Sequence, residues 1–129
     1  MNVLLRTFTR LFGHWESARE RGRRLLLAHL TPIQRKQYNV HGHFDVVGGE
    51  TGHRYRSRQG DALNIEEYDR DGTYLSRWCF SPVGNLVLGD ILLAQKLALE
   101  LFESDARALA NRYPVDYPRS PYSGVILRR

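Results

Sequence analysis

Arginine is the residue type whose number and spacing in this sequence suggest a chemical role. The chain of 129 residues has a net charge of +5, and positive charge that is clustered on a protein attracts phosphate groups and anionic surfaces. Residues 1–42 hold eight Arg or Lys against two Glu, whereas residues 43–112 hold eight against eleven Asp or Glu. The sequence therefore predicts a basic segment that precedes a mildly acidic one.

Two groups of basic residues are candidates for contact with the backbone of DNA or RNA. Alternate side chains of a strand point to one face, so the arginines of residues 54–58 form a second patch beside the first group. Groove-reading and base-stacking motifs are missing, so we expect contacts with phosphate only. An arginine-rich helix that is merely solvated gives the same pattern. The candidates are Arg19, Arg21, Arg23, Arg24, Arg35 and Lys36 in the first group and Arg54, Arg56 and Arg58 in the second.

The first fifteen residues have the pattern of an amphipathic helix. At 100° per residue, the apolar side chains fall within an arc of about 120°, with arginine and threonine opposite. Such a helix can dock on a protein partner or lie at an anionic membrane surface. It can equally pack on this chain's own sheet or on a second copy of the chain, as a homodimer. The anchors would be Leu4, Phe8, Leu11, Phe12 and Trp15.

Histidine and cysteine are candidate zinc ligands, since imidazole and thiolate suit that ion. His41, His43 and Cys79 match no spacing of a known zinc module, and His53 lies across a turn from the strand that follows His43. We expect no metal ion and no cofactor, with Cys79 an inert strand residue.

Carboxylate side chains do not form a catalytic pattern in the sequence. Glu66 and Glu67 are adjacent on a predicted strand and so point to opposite faces, while Asp69 and Asp71 belong to a turn. No serine lies in a nucleophile-elbow sequence, and there is no glycine-rich phosphate loop. We therefore expect a non-enzymatic binding protein, with an adaptor protein that docks through residues 1–15 as the alternative.

An α+β fold must position these residues: N-terminal helices, a four-stranded antiparallel meander, and a long C-terminal helix packed on the sheet. Thr31, Pro32 and Gln34 predict a helix start and Gly42 a stop, and Asp90 is expected to cap the last helix. Periodicity predicts the other elements. The predicted helices are 1–15, 16–30, 32–40 and 91–112, and the predicted strands are 44–46, 54–58, 62–68 and 74–80.

The sequence divides into a basic helical arm (residues 1–42), a compact domain of sheet and helix (43–112) and an extended Pro/Tyr-rich tail (113–129). In the last predicted strand, alternation places Tyr74, Ser76 and Trp78 on one face. The single cysteine excludes a disulfide within the chain. Without a secretory signal or about 20 consecutive apolar residues, a cytoplasmic protein is expected.

Several short motifs resemble those of an uncharacterised group of small bacterial and phage-encoded proteins. The resemblance covers about residues 43–111 and leaves the basic arm outside it. It implies a bacterial or phage origin and assigns no functional residue. The motifs are Tyr55-Arg56-x-Arg58-x-Gly60, Asn64-Ile65-Glu66, Cys79-Phe80-x-Pro82 and the run from Gly89-Asp90 through Leu93-Ala94-Gln95-Lys96-Leu97-Ala98-Leu99-Glu100.

Overall fold

The computed structural model describes residues 16–59 and 64–116. The predicted helix of residues 1–15, with all five of its anchor residues, lies outside the described residues, and so does the tail from residue 117 onward. The described part of the chain has the predicted α+β architecture. None of its helices is long and apolar enough to cross a membrane.

Four helices are found in the described residues: α1 (Ala18–His29), α2 (Pro32–His41), α3 (Leu88–Leu101) and α4 (Glu103–Leu109). A capping box starts α1, because Ser17 accepts a hydrogen bond from the backbone of Glu20 and the Glu20 carboxylate accepts one in return. Thr31 and Gln34 form the same motif at the start of α2. Gly42 ends α2 with a φ of +73°, so both signals read from the sequence are confirmed.

Five described strands form one antiparallel sheet in the order of the sequence. The strands are β1 (Phe44–Val47), β2 (Arg54–Ser57), β3 (Ile65–Tyr68), β4 (Tyr74–Cys79) and β5 (Asn111–Pro114). Tyr55 on β2 lies opposite Glu67 on β3, which in turn lies opposite Ser76 on β4. The first four strands follow one another directly, whereas α3 and α4 separate β4 from β5.

The two faces of the sheet have different neighbours. Helices α3 and α4 pack on the inner face, which is formed by Phe44, Val46, Tyr55, Ser57, Ile65, Glu67, Ser76 and Trp78. Helix α1 packs on α3, so Leu26 and Leu30 join the same core as Phe44. Helix α2 packs against β1, where the Tyr38 ring meets the Phe44 ring edge-on at 6.1 Å. The opposite, outer face carries the remaining strand residues.

The turn between β1 and β2 approaches the end of α3 closely. The backbone N–H of Gly49 donates to the carbonyl oxygen of Leu99 at 3.1 Å. A Cβ on Gly49 would lie 2.0 Å from the carbonyl oxygen of Glu100. Only glycine fits there, because the backbone of the turn and the backbone of the helix are in contact.

The prediction of one continuous C-terminal helix is wrong. The helix breaks at Phe102, whose φ of −138° and ψ of 43° are not helical. The cause lies in the next residue, because Glu103 turns inward to bind the backbone of the β1–β2 turn. The expected cap is also wrong: Val87 precedes α3 without a side-chain cap, and Asp90 lies in the first turn.

The prediction of four strands missed β5. The sequence pattern predicts the end of the helix and the start of the tail at residues 111–114, but these residues pair with β4 at the edge of the sheet. An edge strand tolerates Pro114, since the missing N–H faces no further strand. The predicted face of Tyr74 is also wrong, because a bulge between Glu67 and Tyr68 shifts the register and stacks Tyr74 on Tyr68 at 5.2 Å.

Candidate nucleic-acid interface

Helix α1 presents four of the nine basic residues predicted to contact phosphate. Its buried positions are Gly22 and Leu26, so the four arginines are all exposed to solvent. At 100° per residue, Arg19 and Arg23 lie about 40° apart around the helix, whereas Arg21 and Arg23 lie about 160° apart. Arg19 and Arg23 therefore share one flank, and Arg21 lies on the other.

One of the four arginines on α1 is already engaged by a carboxylate. Arg24 donates from both Nε and Nη2 to Glu16, with the shortest distance of each at 2.9 Å. This hydrogen bonding raises the pKa of Arg24 and lowers the pKa of Glu16. Among the described residues, Arg19, Arg21 and Arg23 form no salt bridge. Arg19 and Arg23 are thus exposed cations without an acidic partner, whereas the charge of Arg21 also acts on Glu16.

The two predicted phosphate contacts on α2, Arg35 and Lys36, also differ in whether the side chain is already engaged. Arg35 reaches back to the end of α1, where Nε donates to the Leu27 carbonyl oxygen at 3.2 Å and Nη2 to that of Leu30 at 3.5 Å. These carbonyls have no partner within their helix, so Arg35 has a structural role. Lys36 is exposed and makes no ion pair in the described part of the chain.

The second predicted patch lies on the outer face of the sheet, where all three arginines are paired with acids. Asp45 lies 2.9 Å from Nε of Arg56 and 3.6 Å from Nε of Arg54, and Glu66 lies 2.7 Å from Nε of Arg58. The hydrogen bond that Arg56 donates to Asp45 raises the pKa of Arg56. Two carboxylates, those of Asp45 and Glu66, therefore offset two of the three positive charges of this patch.

Tyr68, the last residue of β3, also lies on the outer face of the sheet. The guanidinium carbons of Arg54 and Arg56 lie 4.8 Å and 5.5 Å from the centre of its ring, within the range of a cation–π interaction. Its hydroxyl donates to Glu66 at 2.7 Å. Burial, followed by this hydrogen bond, raises the pKa of Tyr68. The arginines are therefore held against the sheet by both charge and an aromatic ring.

Sequence reasoning missed a buried polar network on the inner face. Glu67 is fully buried and accepts hydrogen bonds from Ser76 at 3.0 Å, from Trp78 Nε1 at 2.9 Å and from Arg107. His53 Nδ1 lies 2.8 Å from the same carboxylate. Burial alone raises the pKa of Glu67, but these hydrogen bonds outweigh it and lower the pKa to about 2. Glu67 is therefore a charged residue that the fold holds in place.

A second buried carboxylate, Glu103, fastens the β1–β2 turn to the helices. It accepts hydrogen bonds from the backbone of Glu50 at 2.8 Å and of Thr51 at 2.9 Å, and also from the Thr51 hydroxyl. Burial acts to raise the pKa of Glu103, but the hydrogen bonds prevail and lower it. The sequence predicts that Glu66 and Glu67 point to opposite faces of the sheet. It does not predict the contacts of Glu67 and Glu103, because these contacts join segments that are distant in sequence.

The histidines and Cys79 do not come together. His41 and His43 stack at 5.3 Å, whereas His53 binds Glu67 on the inner face. Burial, with smaller contributions from nearby arginine charges, lowers the pKa of His43. Cys79 is a partly buried free thiol on β4. Within residues 16–59 and 64–116, no group of three or more His, Cys, Asp or Glu side chains has the geometry of a metal site.

Comparison of the chain with models of known families, with curated proteins and with solved structures finds no match.

Proposed function

We propose that this protein binds nucleic acid without catalysing a reaction, through contacts between α1 and the phosphate backbone. The observation that carries the proposal is the contrast between two sets of arginines. Those on the sheet are paired with Asp45 or Glu66, whereas Arg19, Arg21 and Arg23 are exposed without an ion pair among the described residues. Unpaired surface arginines release counterions from a phosphate backbone when they bind it, which drives association.

The arrangement on α1 supports backbone contact rather than base recognition. Arg19 and Arg23 lie on one flank of the helix, with Lys36 the further unpaired cation on the next helix. Charged side chains that contact phosphates position a protein on a duplex but do not read its sequence. We therefore expect similar affinities for DNA of different sequences.

A matched pair of variants tests whether position or total charge matters. Arg19→Gln with Arg23→Gln removes two positive charges from α1, and Arg70→Gln with Arg112→Gln removes two exposed ones elsewhere. We expect the first pair to weaken binding of a fluorescent duplex at least about tenfold, since it deletes two phosphate contacts. The second pair should retain most of the affinity. Equal losses in the two pairs would show that only net charge matters.

Affinity purification of the tagged full chain, with and without nuclease treatment, distinguishes nucleic acid from protein partners in the cell extract. The proposal expects the co-purified macromolecules to be nucleic acid, or proteins that are lost on nuclease treatment. Partners that survive the nuclease would instead favour the adaptor function.

An adaptor function is the second candidate, and one feature of the described residues favours it. Apolar side chains are exposed at the end of α3, at the break between the helices and at the end of α4: Leu101 is 64% exposed, Phe102 59% and Leu109 84%. Single exposed apolar residues are ordinary, but several close in sequence suit a protein contact. If the predicted helix of residues 1–15 is the docking element, its deletion should leave the domain folded and abolish co-purification of the partner.

A further inference from the structure

Two histidine rings stack on each other where α2 leads into β1. His41 is the last residue of α2 and His43 directly precedes β1, with Gly42 between them. The ring centres lie 5.3 Å apart, and the ring planes are nearly parallel, at 11°. His41 is exposed and His43 is partly buried. Neutral imidazole rings can stack in this way, whereas two imidazolium rings at this distance repel each other.

The surroundings of His43 suit the neutral ring. Its Nδ1 atom is buried and has no hydrogen-bond partner in the described part of the chain. A neutral imidazole leaves one nitrogen without a proton, but an imidazolium carries an N–H on both. Protonation of His43 in this position therefore buries a charged donor without an acceptor, which costs free energy.

The charged neighbours of His43 come from α2, β1 and β2. The carboxylate of Asp45 favours the protonated ring, but Arg56 already contacts this carboxylate at 2.9 Å. Glu66 on β3 lies 2.7 Å from Nε of Arg58 and partly offsets its charge. Burial, followed by the positive neighbours, keeps the pKa of His43 below its ordinary value of 6.5. These positive neighbours are Arg56, Arg58 and His41.

We propose that His41 and His43 form a pH-sensitive latch, in which protonation of His43 separates the two rings and releases the last turn of α2 from β1. Gly42 is suited to be the hinge, since its φ of +73° lies in the left-handed region that glycine enters without strain. Its N–H donates to the Tyr38 carbonyl oxygen at 2.8 Å and closes the last turn of the helix.

Contacts earlier in α2 confine the change to this turn. Gln34 Nε2 donates to the Asp45 carbonyl oxygen at 2.9 Å, and the Asp45 N–H donates to Gln37 Oε1 at 3.0 Å. Amide groups do not titrate near neutral pH, so these contacts persist when the latch opens. The opening equilibrium should rise by at most about tenfold per pH unit, which is the limit for uptake of one proton.

Hydrogen exchange in the full-length chain, followed by NMR between about pH 7.5 and about pH 5.5, tests the latch. We expect the protection factor of the Gly42 amide to fall over the pH range in which the His43 ring titrates. The Phe102 amide is the matched reference, because it closes α3 through an equal bond of 2.8 Å to the Ala98 carbonyl oxygen. Its protection factor should not change. An unchanged protection factor for Gly42, or equal losses at Gly42 and Phe102, would overturn the proposal.

Two histidine variants separate the latch from a general effect of acid. His43→Gln removes the titrating ring, and His29→Gln removes an exposed histidine from the last turn of α1. We expect the Gly42 amide to lose its pH dependence in His43→Gln and to keep it in His29→Gln. A response in His43→Gln equal to that of wild type would contradict the latch. Where His43→Gln does not fold, wild type decides: ring titration and loss of protection in different pH ranges would contradict the latch as well.

Discussion

Glu67 and Glu103, two buried carboxylates on different elements, are joined by one hydrogen-bonded bridge. Arg107 contacts Glu67 and donates to the Tyr55 hydroxyl at 2.7 Å, and that hydroxyl donates to Glu103 at 2.6 Å. Burial, followed by the hydrogen bond to Glu103, raises the pKa of Tyr55 above its ordinary value, so the hydroxyl stays protonated. The bridge connects β2, β3 and α4 with the β1–β2 turn.

The variant Glu67→Gln should destabilise the fold by about 3 kcal/mol, because it removes the charged partner of Arg107 and leaves buried donors imperfectly matched. Urea denaturation followed by tryptophan fluorescence measures the change. Glu20→Gln is the matched control, since glutamine also serves in a capping box, and it should stay within about 0.5 kcal/mol of wild type. A loss for Glu67→Gln no larger than the control would show that the bridge does not stabilise the fold.

The stability of the fold should fall in acid because Glu67 becomes protonated. The pKa of Glu67 is lowered from 4.5 to about 2 on folding, so its contribution is complete above the unfolded value and is lost as pH falls towards the folded value. At 1.36 kcal/mol per unit, this amounts to about 3 kcal/mol. Unfolding free energies measured between pH 6 and pH 2 should decline for wild type and decline less for Glu67→Gln. Parallel curves for the two proteins would contradict this assignment.

Two glycines at the crossing of α1 and α3 predict an unusual substitution effect. Alanine usually stabilises a helix relative to glycine by about 1 kcal/mol. A Cβ on Gly89, however, would lie 2.3 Å from the backbone of Gly22, so Gly89→Ala should be destabilising by about 2 kcal/mol. A Cβ on Gly22 would meet mainly the end of the Val87 side chain, at 2.6 Å. Thermal unfolding should therefore rank Gly22→Ala as the milder change, and the opposite order would contradict the close crossing.

Local signals in the sequence predicted the elements whose causes are local. The start and the end of α2 were predictable because a capping box (Thr31 and Gln34) and a left-handed glycine (Gly42) act within a few residues. Alternation placed Glu66 and Glu67 on opposite faces for the same reason. The break at Phe102 could not be predicted, since its cause is the contact of Glu103 with a turn about fifty residues away in sequence.

In the candidate site, too, local features were predictable from the sequence and tertiary contacts were not. Residue types and spacing identified the arginines of α1 and of β2, but they could not tell which were already paired. Arg54 and Arg56 share the single carboxylate of Asp45 because β1 pairs with β2 in a particular register. That register depends on tertiary packing, which a single sequence does not reveal.

The salt dependence of binding tests the proposed function most directly. The logarithm of the association constant for duplex DNA is plotted against the logarithm of salt concentration, for wild type and for Arg19→Gln with Arg23→Gln. Each phosphate contact contributes about 0.9 to the slope. We expect a steep negative slope for wild type that is reduced by about 2 in the variant. Binding that is undetectable, or that is independent of salt, would contradict nucleic-acid contact through α1.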